Sequence, residues 1–347
     1  MKAELGRFSE WMSEEGPEAD IVLSSRVRLA RNLRGIPFPH HAGPQEAEGV
    51  RARLEEVVRA LSPQWGLIWH NLGDLDAVDR EVLMEKHLAS PHLAQGPQGA
   101  ALAIDRRESI SLMVNEEDHL RLQVILPGLQ LNEALGVAMA LDDAIEQTVD
   151  YAFDPALGYL TAWPTNVGTG MRASVMLHLP ALVLTRQAAQ VLSTLAQVGM
   201  VVRGLYGEGS EAAGNIFQVS NQVALGLGEE ELVHSLTQTA QQLVGRERMA
   251  RQLLLTHSRL ALADRVWRAL GVLRHARVIT SEEALRLLSD VKLGMDLGLI
   301  DPVGKIGFAQ LMVLTRPGFL QAQAGHPLTP LERDQVRAGL LRERLAA

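Results

Sequence analysis

The chain has no cysteine, only four lysines among its 33 basic residues, and few aromatic side chains, 4% of the total. Without cysteine there can be no disulfide, no thiolate zinc site, no iron–sulfur cluster and no thiol nucleophile. No apolar run approaches the ~18 residues a membrane-spanning helix needs. The segment from Met1 to Arg7 lacks the apolar core of a secretory signal, so a cytoplasmic protein is expected. The net charge of −8 and the lack of a basic stripe argue against nucleic acid as a partner. Several common signatures are also missing. There is no Gly-x-x-x-x-Gly-Lys-[Ser/Thr] phosphate loop, no His-Arg-Asp or Asp-Phe-Gly, no Gly-x-Gly-x-x-Gly after a strand and no His-Glu-x-x-His zinc pair.

What is present is arginine, nearly all of the positive charge, since lysine occurs only at 2, 86, 292 and 305. At 347 residues and 47% apolar, the chain is long enough for about two domains and a sizeable core. Residues 20–28 read as a strand. Residues 44–61 read as a helix with Val50, Leu54, Val57, Val58 and Leu61 on one stripe. Strands are expected at 66–72, 110–115, 119–126, 159–162, 172–179, 201–204 and 215–225, and helices at 76–87, 132–151 and within 181–199. From Glu229 the pattern becomes helical only. Thr280-x-x-Glu283 and Thr329-x-x-Glu332 form capping boxes, the second with Pro330 at the first helical position. The expected organisation is an N-terminal segment (1–20), an α+β catalytic part (21–255) and a helical part (256–347).

Arg26 and Arg28 lie two apart in a strand and therefore share a face. Arg121 follows the acidic turn Asn115-Glu116-Glu117-Asp118-His119. Arg172 opens the strand after Pro164-Thr165-Asn166-Val167-Gly168-Thr169-Gly170, and Arg203 precedes Gly204-Leu205-Tyr206-Gly207-Glu208-Gly209. Guanidinium groups stay charged and fork onto phosphate oxygens, so five converging on one sheet face suit a triphosphate. Glu117 and Glu208 are the carboxylates that would face them. Taken singly, each arginine is more often a solvated surface charge, and an acidic turn between strands more often a solvated hairpin tip.

Together these strings, with Ser24-Ser25-Arg26-Val27-Arg28-Leu29-Ala30-Arg31-Asn32, resemble the phosphagen (guanidino) kinase superfamily, most closely its bacterial McsB branch of protein-arginine kinases. The resemblance implies an antiparallel β-sheet flanked by helices, a C-terminal helical dimerisation region, and ATP-dependent phosphorylation of arginine side chains. By matching position, the ATP site would comprise Ser24, Ser25, Arg26, Val27, Arg28, His87, Arg121, Arg172, Ala173, Ser174, Val175, Met176, Arg203, Gly204, Leu205, Tyr206, Gly207 and Glu208. Glu117 and Glu208 would be catalytic, and magnesium would ride mainly on the phosphates, with no protein metal ligand named. Trp163, Thr165 and Asn166 would line the substrate pocket.

A guanidinium has a pKa above about 12 and is a poor nucleophile while protonated. Two glutamates that fork onto it and accept a proton therefore match the chemistry. The string Arg333-Asp334-Gln335-Val336-Arg337-Ala338 matches the branch's phosphoarginine-binding allosteric motif, so Arg333, Asp334, Arg337 and Ala338 are expected to take that ligand. Only 23 residues precede Ser24, too few for the domain that closes over free arginine in metabolic relatives, so the acceptor is expected on protein surfaces. A McsA-type activator, the Clp machinery, a role in stress response and a homodimer are further implied. One residue departs from the pattern: Trp163 stands where the family carries cysteine. That departure keeps open a catalytically weak phosphoarginine-binding adaptor, and a free-arginine kinase is the third reading.

Overall fold

The structure, a computed structural model, describes residues 7–204, 212–304 and 306–346. Its centre is an antiparallel sheet built from β1 (Val22–Arg31), β2 (Ile68–Asn71), β3 (Ala101–Ile104), β4 (Ile110–Val114), β5 (Leu120–Pro127), β8 (Met171–His178), β9 (Met200–Gly204) and β10 (Ile216–Asn221). A separate two-residue hairpin joins β6 (Phe153–Asp154) and β7 (Gly158–Tyr159). The spatial order of the large sheet is β2-β3-β4-β5-β1-β8-β10-β9. The expected α+β class with an antiparallel sheet flanked by helices is therefore what the chain adopts.

Alternation in β1 divides the molecule into two faces. Val27 and Leu29 pack with Leu122, Val124, Ala173, Val175 and Val219 under the helices Pro44–Trp65, Leu131–Glu146 and Glu229–His257. The opposite face carries Leu23, Met113, Ile125, Met176 and Ile216. These residues share a second core with Trp11 and with Val266, Leu270, Leu288, Val291 and Phe308 of the later helices. The polar residues of this second face cluster where that core stops short.

Most expected elements are present, with three differences. The strand β3 was not anticipated: Ala101-Leu102-Ala103-Ile104 is buried on both faces, so it shows no alternation to read. The expected helix within 181–199 is broken into Pro180–Leu184, Ala188–Ser193 and the short turn Thr194–Val198, because Arg186 takes φ +59°. The expected strand at 159–162 shrinks to β7, since Ala162 N–H is drawn to a side chain, Asp118 Oδ1, at 2.7 Å.

A buried ion pair fixes the end of β1. Arg31 is fully buried and donates from Nε and Nη2 to Asp142 Oδ2 at 3.0 and 2.6 Å. Its Nη1 donates to the carbonyls of Ala30 and Thr169, and the guanidinium lies 3.5 Å from the Tyr159 ring centroid. The Tyr151 hydroxyl donates to the second Asp142 oxygen at 3.1 Å. A Cβ at Gly170 (φ +66°) would stand 2.5 Å from Arg31 Nη1, so the loop carrying residues 163–170 can close on this pair only through glycine.

Removing one partner leaves the other charge buried and unpaired. Asp142→Asn is expected to cost about 3–5 kcal/mol of stability, read as a lowered urea midpoint. A loss below about 1 kcal/mol would show that the pair does not hold this end of the sheet.

Candidate functional site

Strand register assembles the site. Arg28 of β1 stands opposite Arg172 of β8 on one side and Gln123 of β5 on the other, while Ala30 pairs with Arg121. Arg26 pairs with Ser174, and Arg203 of β9 with Gln218 of β10. Paired residues share a face, so all five arginines reach the same side of the sheet. They line one cleft of about 860 Å3, together with His87, Glu116, Glu117, Trp163, Thr165, Asn166 and Gly204.

Among the described residues, the cluster carries more positive charge than its surroundings balance. Burial, then the neighbouring charges of Arg172 and Arg121, lower Arg26 to about 10. Burial and Arg26, Arg121 and Arg172 push Arg28 well down, and burial, Arg203 and Arg121 lower Arg172. Hydrogen bonds within the cluster are few. Arg26 Nη2 donates to Gln218 Oε1 at 3.0 Å, and Arg172 Nη2 to Ser220 Oγ at 3.2 Å. Among the described residues, Arg28 Nε, Arg172 Nε and His87 Nε2 are buried with no hydrogen-bond partner. Burial also lowers His87 to about 3, so its ring is neutral. Unmet donors and mutually repelling cations are the counterpart of a multiply charged anion, and a nucleotide polyphosphate fits them.

Arg121 is the exception, because it is paired. Its Nη1 lies 2.7 Å from Glu116 Oε2 and its Nη2 2.6 Å from Glu117 Oε2. Glu116 is itself buried, accepting from Ser90 Oγ at 2.6 Å and from the Glu117 N–H at 3.0 Å. The turn that carries these glutamates is anchored from below. Asn115 takes φ +52° and donates to the carbonyls of Ala47 and Gly99. Asp118, fully buried, accepts from Asn32 Nδ2 and from the Ala162 N–H, both at 2.7 Å. Asp118 thus ties the glutamate turn to the loop that presents Trp163.

Trp163 is 54% exposed on the cleft wall, close enough for its indole to favour the ionised form of the Glu117 carboxylate. Burial would raise the Glu117 carboxyl. The Arg121 hydrogen bond and charge, the Trp163 N–H and the charge of His92 outweigh it and hold Glu117 below its usual range. Glu117 is therefore ionised, oriented and open to the cleft.

Other expected positions lie elsewhere. Val27, Ala173 and Val175 point into the core on the opposite face. Ser25 is buried, donating to the Gly128 carbonyl at 2.8 Å and accepting from the Gln130 N–H. Ser24 and Met176 are buried, and Ser174 Oγ meets Arg26 Nε at 3.4 Å. Leu205, Tyr206, Gly207 and Glu208 lie outside the described residues. At the C-terminal motif, Arg337 is buried and donates to the carbonyls of Thr315 and Ile279 at 2.7 and 2.9 Å and to Asp334. Arg333 is half-buried and Ala338 buried. Arg337 thus commits Nε and Nη1 to protein oxygens.

Sequence reasoning missed His92, Gln218, Glu85 and Arg316 and named Glu116 only within the acidic turn; all five line the cleft. Gln218 sits at an alternate position of a strand that was read, so its facing was available. Arg316 carries no local signal beyond the proline that follows it.

Comparison with known proteins agrees with this geometry. The family model described as ATP:guanido phosphotransferase, C-terminal catalytic domain, matches residues 50–250, and that of the protein-arginine kinase McsB C-terminal domain matches 259–347. The chain is 51% identical to a protein-arginine kinase of Brevibacillus brevis, over 97% of this chain and 95% of that one. It is 52% identical to one of Moorella thermoacetica over the full length of both. Among solved structures, the duplicated taurocyamine kinase of Schistosoma mansoni superposes with a TM-score of 0.61 at 24% identity, covering 72% of this chain and 36% of that one. A lombricine kinase gives 0.57 at 22%, covering 70% of each. The chain belongs to the protein-arginine kinase family of ATP:guanido phosphotransferases.

Proposed function

We propose that this protein transfers the γ-phosphoryl group of ATP to the guanidinium of arginine side chains in proteins. The observation that carries this reading is one cleft holding a charge-excess arginine cluster beside an ionised, oriented glutamate. The relatives' printed name, protein-arginine kinase, supplies the acceptor class. Arg26, Arg28, Arg172 and Arg203 would cradle the polyphosphate, with magnesium riding on its oxygens. Arg121 would trade part of its contact with Glu117 for the transferring phosphoryl group, which frees that carboxylate to grip the acceptor. A guanidinium nitrogen attacks the γ-phosphorus, the bond to the ADP oxygen breaks, and the nitrogen's proton passes to a carboxylate. Glu117 is the carboxylate the cleft presents for that step, with Glu208 as its partner by family position. Positioning and charge stabilisation dominate such transfers, so little further machinery is required.

Trp163 suits a cationic acceptor in a way that differs from the family's cysteine. Its exposed ring offers a stacking face for a planar cation, while its N–H steadies Glu117.

The helical region also exposes an apolar surface. Leu260 is 86% and Met249 66% exposed, with Leu253 and Trp267 exposed as well. We infer that a second copy of the chain covers it, and Trp267→Glu should then shift the sedimentation coefficient to that of a monomer. A wild-type protein that is already monomeric at micromolar concentration would remove the inference.

Glu117→Gln should lower kcat by about 100- to 10,000-fold, measured as acid-labile phosphate on an arginine-rich protein. ATP affinity should hold or tighten, because Arg121 loses an ionic partner. Parallel loss of nucleotide binding would instead make Glu117 architectural, and acid-stable phosphate would sink the arginine assignment. Free arginine turned over faster than protein-borne arginine would reject the proposed acceptor class.

Trp163→Phe keeps the ring and removes the N–H. Loss of that donor raises the Glu117 carboxyl, and transfer needs the ionised form. The acid limb of the kcat/KM profile should therefore move to higher pH, with little change in the KM for protein substrate. An unmoved limb would show that the indole N–H does not act on Glu117.

A further inference from the structure

One arginine of the cleft comes from outside the catalytic segment. Arg316 lies between the helices Phe308–Leu314 and Pro317–Ala324, well beyond residue 250, where the catalytic family match ends. Its half-buried side chain lines the cleft alongside Met84, Glu85 and His87. Its charge is felt by His87, together with that of Arg26, and by Glu85. Arg316 therefore extends the positive cluster on the His87 side, away from Glu117 and Trp163.

The segment that carries Arg316 is held from two directions. On the cleft side, the buried Glu85 carboxylate accepts the N–H groups of Gly318 and Phe319 at 2.9 and 3.0 Å. Gly318 permits that approach, since a Cβ there would meet Glu81 Cγ and Glu85 Oε2 at 2.8 Å. On the far side, the carbonyl of Thr315 accepts from Arg337 Nε at 2.7 Å, and Arg337 Nη1 is tied to Ile279. Proline at 317 sets the backbone where the next helix begins. The backbone on either side of Arg316 is therefore fixed, which sets where its side chain enters the cleft.

We infer that Arg316 is a further nucleotide-binding residue, so that the helical C-terminal region completes the ATP site rather than only adjoining it. The ligand it takes is the anionic phosphate chain of the nucleotide. Arg337 and Glu85 act on that contact as positioning residues, through Thr315 and Gly318. The inference rests on the reading of the cleft as the ATP site, and the experiment separates the two.

Calorimetric titration of the full-length protein with magnesium and a non-hydrolysable ATP analogue is the test. Wild-type binding is the reference, and its absence would overturn both the cleft reading and this inference. Arg316→Met should weaken binding by about tenfold or more, as expected for loss of a charge-assisted contact. It should raise the KM for ATP while kcat at saturating ATP stays within about threefold, and Arg316→Lys should recover part of the loss. Gly318→Ala forces the segment to shift, so it should weaken binding in the wild-type background and add nothing to Arg316→Met. Three outcomes would overturn the role of Arg316 while leaving the cleft reading intact: unchanged affinity in Arg316→Met, a fall confined to kcat, or strict additivity of the two substitutions.

Discussion

Repulsion among guanidinium groups is the constraint on which the structure depends. Arg26, Arg28 and Arg172 stand on adjacent strands of one sheet face, each lowered by burial and by its neighbours. Nothing in a folding chain gathers like charges for its own stability. The arrangement persists because the rest of the molecule over-determines it. The opposite face of the same strands is a continuous apolar core, and the period of two along a strand leaves the arginines no other side to occupy. The cluster is in this sense an electrostatic cost offset by hydrophobic burial a strand's thickness away, and it is relieved when an anion arrives.

The same economy appears on the acceptor side of the cleft. Glu117 is held by Arg121 and Trp163, Glu116 braces both Arg121 and the Glu117 backbone, and Asp118 ties that turn to the Trp163 loop. Three consecutive acidic residues thus divide the labour. One is open to solvent in the cleft, one lies buried in the cleft wall against an arginine, and one is a buried structural anchor. Trp163 stands beside this network with its ring half in solvent, and its side chain favours the ionised form of Glu117.

The helical C-terminal region is joined to the cleft at more than one level. Its helices share the second core with Trp11, Met113 and Met176 of the N-terminal segment and the sheet. The His178 ring meets Ser289 Oγ at 2.7 Å, which links a sheet strand to the helix Ser281–Asp296. Glu85 and Arg316 continue that contact to the cleft itself. Arg337 lies one peptide unit from Arg316 in that connection, through the Thr315 carbonyl.

Much of this was legible in the order of the residues alone. Alternation in Val22–Arg31 fixed which residues face the core, and the spacing of Arg26 and Arg28 put them on one side. The capping boxes at Thr280 and Thr329 marked two helix starts, and the family strings named the cluster and Glu117. Those features are local or repetitive, so short-range stereochemistry determines them. Tertiary structure alone decided the rest. Which of Glu116 and Glu117 stays open in the cleft depends on Ser90 and Arg121 holding the first in its wall. The outward placing of Trp163 depends on Asp118 pulling in the Ala162 N–H. Arg316 reaches the cleft only because the helix that follows it packs on Glu85, more than two hundred residues earlier in the chain. Contacts between residues so far apart leave no period or spacing in the sequence, since they are set by packing rather than by neighbours.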